Sequence, residues 1–128
     1  MINPFHKKKK ILIVEDHEPL RQLLKIGLAP TGATILEASN GKEGLHSIRE
    51  ENPDLVLLDL MMPVMDGLTL LRKVREENPS TSHPRVLIIT NSDHGTLIED
   101  TVNLGVAGFI RKSDWKMEEI IEMVKKWL

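Results

Sequence analysis

The sequence predicts an α/β layer sandwich, a parallel sheet covered by helices on both faces. Two observations carry that expectation. Five short apolar runs, at residues 11–15, 34–37, 55–58, 85–89 and 108–111, alternate with segments of helical period, as parallel strands joined by crossover helices require. Runs one, three and four are nearly continuous in Val, Leu and Ile, whereas the second mixes apolar and polar residues. Runs one, three and four therefore read as strands buried on both faces and the second as an edge.

Each linking segment carries its own start and stop. After the first run, Pro19 suits the first position of a helix, and Leu20, Leu23, Leu24, Gly27 and Leu28 recur at helical spacing as far as Pro30. The second helix opens at Asn40 with Glu43 three residues on, as in a capping box. It turns Gly44, Leu45 and Ile48 inward and stops at Asn52-Pro53. A third spans about 67–78 with Leu71 and Val74 inward, then breaks at Pro79 and the loop 80–84. The fourth, about 96–104, is short and closed by Gly105. The fifth, 115–128, has the clearest stripe, Met117, Ile120, Ile121, Val124 and Leu128, with Asp114 or Ser113 expected as its cap.

Composition narrows the function. The 128 residues read as a flexible flank, 1–8, and one domain, 9–128; at 41% hydrophobic the chain can bury a core. A formal charge of −2 argues against direct nucleic-acid binding. With no cysteine, a disulfide, a thiolate metal site and a thiol nucleophile are all excluded. The apolar runs are strand-sized, far below the roughly 20 residues of a membrane span, and no apolar stretch of signal-peptide type follows Lys7, Lys8, Lys9 and Lys10. The expected location is the cytoplasm, with no membrane attachment. The five histidines show no metal-ligand spacing and read as surface residues, although His17 and His94 adjoin the acidic cluster at the strand ends. Gly41, Gly67 and Gly105 make no dinucleotide fingerprint. Trp115, Met123 and Trp127 flank the last helical stripe and read as a partner surface.

In sheets of this kind ligands bind beyond the carboxyl ends of the strands. There the first run ends in Glu15 and Asp16, the third in Asp59, the fourth in Thr90 and the fifth in Arg111 and Lys112. Any one of these acids reads equally well as a helix cap or a solvated loop residue; their joint placement singles them out. Clustered carboxylates raise one another's pKa unless a divalent cation is present, and oxygen ligands of this kind suit Mg²⁺. A cation and a lysine would offset charge on a transferring phosphoryl group, and a carboxylate could be its nucleophile.

The segments ILIVED (11–16), DLMMPVMDG (59–67), IIT (88–90) and GFIRK (108–112) resemble the receiver domain of two-component response regulators, in order and over residues 9–128. The resemblance implies a flavodoxin-like doubly wound fold, five parallel strands in the order 2-1-3-4-5 with five helices. It implies Asp59 as phospho-acceptor, and Glu15, Asp16, Asp59 and the backbone carbonyl of Met61 as Mg²⁺ ligands. Thr90 would hydrogen-bond the phosphoryl group, Lys112 would pair with it, and Phe109 would be the aromatic that moves as Thr90 is drawn in. The implied donor is a histidine kinase or a histidine phosphotransfer protein. The output is a downstream protein target, a phosphorylation-dependent homodimer being one form it could take.

Two positions depart from the family pattern. Ser113 stands where receivers commonly carry proline, and Asn91 where they commonly carry a small residue. Without proline a cis peptide costs roughly 3 kcal/mol, so the Lys112–Ser113 bond is expected to be trans. Asn91 is expected at the mouth of the site, where its amide controls access and slows both entry and loss of the phosphoryl group. Two rivals remain. An Mg²⁺-dependent phosphohydrolase with an aspartyl nucleophile needs a second acid two residues on, where Met61 stands. A pseudo-receiver that only binds partners has no need of the full set Asp16, Asp59, Thr90 and Lys112.

Overall fold

Strong apolar runs set the centre of the sheet. In a computed structural model, which describes residues 8–79, 83–91 and 95–128, the strands are β1 (Lys10–Val14), β2 (Thr34–Ala38), β3 (Leu55–Leu58), β4 (Arg85–Thr90) and β5 (Gly108–Arg111). All pair in parallel, in the order β2-β1-β3-β4-β5. The mixed run is an edge strand as expected. The helices are α1 (Glu18–Leu28), α2 (Gly41–Glu51), α3 (Gly67–Glu77), α4 (Gly95–Asn103) and α5 (Met117–Lys126), with 3₁₀ turns at Ala29–Thr31 and Lys112–Asp114. Residues 1–7 of the expected flank, His6, His94 and the 80–82 part of the proline-bounded loop lie outside the described residues.

Alternation along the strands divides the core in two. Leu12, Val14, Val56, Leu58, Val86 and Ile88 face Leu45 and Ile48 of α2 and Leu70, Leu71 and Val74 of α3. Ile11, Ile13, Leu55, Leu57, Leu87, Ile89 and Ile110 face Leu24 and Leu28 of α1 and Ile120, Ile121 and Val124 of α5. The period of two sends successive residues to opposite layers, so both faces of the sheet are apolar and both need helices.

The local signals act through identifiable bonds. Asn40 caps α2 by accepting the Glu43 N–H at 2.9 Å, and Asp66 caps α3 by accepting the Thr69 N–H at 2.8 Å. Glu37 on β2 gathers Arg21, Gln22 and Lys25 of α1 and so ties the edge strand to that helix. Gly105 ends the α4 segment at a φ of 71°, which suits glycine.

The start of α5 differs from expectation. Ser113 and Asp114 are not its cap but part of the 3₁₀ turn; the helix begins at Met117, with the Glu119 carboxylate accepting the Lys116 N–H at 2.9 Å. Trp115 extends the apolar stripe in sequence without being helical, because the chain must first turn away from β5. Both tryptophans and Met123 are only partly exposed and pack on the α1/α5 core, so they serve the core before any partner. The one cis peptide among the described residues is His83–Pro84; Lys112–Ser113 is trans, as expected.

Candidate functional site

Parallel strands bring their carboxyl ends to one edge, and the hydrogen-bond ladder continues just past them. The Glu15 N–H donates to Ala38 O at 3.0 Å and the Asp59 N–H to Val14 O at 3.1 Å. These bonds fix the backbones of two acids side by side. Arg21 adds a brace, its guanidinium donating to the Glu15 carbonyl at 2.8 Å. Beneath Asp59 lies Gly67, where a Cβ would stand 2.2 Å from the Asp59 carbonyl oxygen. Only glycine admits that approach, and the Gly67 N–H donates to Leu60 O at 3.0 Å.

The Asp59 carboxylate is held at both oxygens. Oδ1 accepts the Thr90 hydroxyl at 2.8 Å and the Met61 N–H at 3.2 Å. Oδ2 accepts Lys112 Nζ at 3.1 Å, and the same ammonium lies 2.6 Å from Glu15 Oε1. Glu15 Oε2 accepts the His17 N–H at 3.1 Å. Thr90, Glu15 and Asp59 are buried, whereas Asp16 is exposed.

Burial and the neighbouring Asp59 charge push Glu15 up from 4.5 to about 7, against the opposing hydrogen bonds from Lys112 and His17. Burial works against the Lys112 charge too, but its bond to Glu15 and the pull of both acids outweigh this and raise its pKa. One lysine thus serves two carboxylates, leaving the site short of positive charge. Ligand oxygens of Glu15, Asp16 and Asp59 lie within 4.8 Å of one another. An all-oxygen set with that deficit fits a hard divalent cation such as Mg²⁺.

The structure therefore brings together Glu15, Asp16, Asp59, Thr90 and Lys112, from the ends of four strands. Phe109 sits one strand away, partly buried against the α2/α3 core. Thr90 already bonds Asp59, so any switch starts from a hydroxyl facing the carboxylate. Asn91 is exposed, but its side-chain Oδ1 accepts the Ser113 N–H at 3.0 Å. The sequence reading missed that bond and the Arg21 brace. Both join residues remote in sequence and of types common on any surface.

Comparison with known proteins adds four findings. The family model for the response regulator receiver domain matches residues 11–125. Sporulation initiation phosphotransferase F of Bacillus subtilis is 37% identical over 94% of this chain and 94% of its own length. The nitrate/nitrite response regulator NarL of Escherichia coli is 36% identical over 88% of this chain, which spans only 51% of NarL. Among solved structures, a CheY-like receiver domain from Methanospirillum hungatei superposes with a TM-score of 0.83 at 27% identity, covering 94% of this chain and 93% of that one.

Proposed function

The chain belongs to the response regulator receiver family, and from that premise we propose that it accepts a phosphoryl group on Asp59 from a phosphohistidine of a histidine kinase or phosphotransfer protein. The observation that supports this reading best is the Asp59 carboxylate itself, gripped by Thr90 on one oxygen and Lys112 on the other. A carboxylate oxygen is the nucleophile, so no general base is needed. The new bond runs from that oxygen to phosphorus, the donor's N–P bond breaks, and the imidazole leaves with the bonding pair. Thr90 then transfers its hydrogen bond from Asp59 to a phosphoryl oxygen, while Lys112 stays paired with the growing negative charge.

Glu15, Asp16, Asp59 and the Met61 carbonyl are the residues that would hold Mg²⁺. When bound, the ion supplies positive charge for the phosphoryl oxygens that one lysine cannot. Its output is a contact with a downstream protein, biased through Thr90 and Phe109, and its place is the cytoplasm; no helix of the described residues is long and apolar enough to cross a membrane. The exposed Met61 stands where a phosphohydrolase would need its second acid, so the acyl phosphate is the signal and not an intermediate of turnover.

Mass measurement of the intact protein after acetyl phosphate and Mg²⁺ tests this. One phosphoryl group should appear, EDTA should prevent it, and Asp59→Asn should abolish it. Labelling of that variant, or of any other residue in the wild type, overturns the assignment.

A further inference from the structure

The two positions at which the sequence departs from the receiver pattern are bonded to each other. Asn91 follows β4 directly and Ser113 lies just beyond β5, in strands that are sheet neighbours with Thr90 level with Arg111. The Asn91 Oδ1 accepts the Ser113 N–H at 3.0 Å. Ser113 is the second residue of the 3₁₀ turn Lys112–Asp114, which has no side-chain cap at its own start. Leading N–H groups of a helical turn have no partner inside it. Asn91 supplies one from the adjacent loop.

Proline at 113 would have no N–H to give. A small apolar residue at 91 would have no side-chain oxygen to receive it. Each departure is thus useful only in the presence of the other.

We propose that Asn91 and Ser113 form one positioning unit, a clamp between the β4 and β5 loops that keeps Lys112 over Asp59 and Glu15. Lysine is a point charge on a flexible four-carbon stem, so where its ammonium rests depends on how firmly its backbone is anchored. Ser113 is its immediate neighbour, and Asn91 is the immediate neighbour of Thr90. The clamp therefore joins the chain next to both groups that grip the Asp59 carboxylate. Asn91 touches neither Asp59 nor Glu15 in these bonds; it acts through Ser113. This reverses the sign expected if its amide merely obstructed the mouth: removing it should slow phosphorylation.

Two arms test the clamp on the whole chain. In the first, hydrogen exchange of the Ser113 amide is followed by NMR without any phosphodonor. Asn91→Ala should speed it about five-fold or more, the effect of losing one exposed hydrogen bond, and Asn91→Asp, which keeps an acceptor, should restore protection. Unchanged exchange in Asn91→Ala overturns the proposal.

In the second arm, phosphorylation by acetyl phosphate with Mg²⁺ is timed. Asn91→Ala and Asn91→Leu should both slow it several-fold, although alanine opens the mouth of the site and leucine, the larger side chain, fills it further. In a Ser113→Pro background Asn91→Ala should change nothing further. Faster phosphorylation of the alanine variant alone, or equal slowing in both backgrounds, overturns the clamp. Should Ser113→Pro not fold, the alanine and leucine pair and the exchange arm still decide. The kinetic arm rests on Asp59 as acceptor; a wild type that takes no phosphate defeats that reading, while the exchange arm judges the clamp alone.

Discussion

At the level of single residues the site is a problem in charge. Glu15 is buried among Asp59 and Lys112, and its pKa is raised from 4.5 to about 7. A folded-state pKa above the unfolded value means the native state holds the extra proton, so the contribution of Glu15 to stability is fully present below about 4.5 and is lost as pH rises through about 7. Lys112, with its pKa raised, stays charged throughout that window, and Glu37, whose pKa is lowered, contributes its own loss only at more acid pH. In metal-free buffer the urea midpoint of the wild type should therefore fall across this range relative to Glu15→Gln, and Mg²⁺ should restore more stability at the alkaline end than at the acid end. Parallel curves for the two proteins would show that Glu15 does not titrate there. The carboxylates, Thr90 and Lys112 were legible in sequence because each ends a strand. The Asn91–Ser113 bond was not, since nothing in a sequence says which surface amide meets which N–H.

At the level of elements, apolar continuity and turn residues placed every strand and helix, most within a residue or two of its observed ends. The misplaced start of α5 shows the limit. An apolar stripe says which residues face the core, not where the chain becomes helical, and the 3₁₀ turn after Lys112 leaves no periodic mark. The loop from β3 to α3 hides more. Val64 there has a φ of 69°, a left-handed value that sequence reading would give to glycine, and Gly67 is fixed by contact with Asp59 rather than by any turn type. Gly67→Ala would force its Cβ onto the Asp59 carbonyl 2.2 Å away, where neither backbone can yield cheaply. It should lose about 3 kcal/mol in urea unfolding and reduce phosphorylation at any Mg²⁺ concentration. Full stability with normal phosphorylation would mean that the loop has room to shift.

At the level of the molecule the sheet separates two cores, and the proposed switch residue belongs to only one of them. Strand order could not be read from periodicity; it came with the family resemblance and is what the structure has. That order puts α1 and α5 on one face and α2 and α3 on the other, with α4 against α3. Phe109, Leu104 and Val106 pack on the α2/α3 side, whereas Trp115, Trp127 and Met123 pack on the α1/α5 side. In the proposed switch, Thr90 leaving Asp59 for a phosphoryl oxygen would free space beside β4 on the face that Val86 and Ile88 share with Phe109. A displacement there has neighbours in the α4 segment and β5, while the central strands, fully covered, resist transmitting it across the sheet. Amide shifts on phosphorylation should therefore extend from the site through β5 into α4. They should be small along α1, including Leu23 and Ile26, whose side chains stand exposed on its outer face. Shifts confined to the loops around Asp59, or equal on both faces of the sheet, would show that Phe109 does not carry the signal.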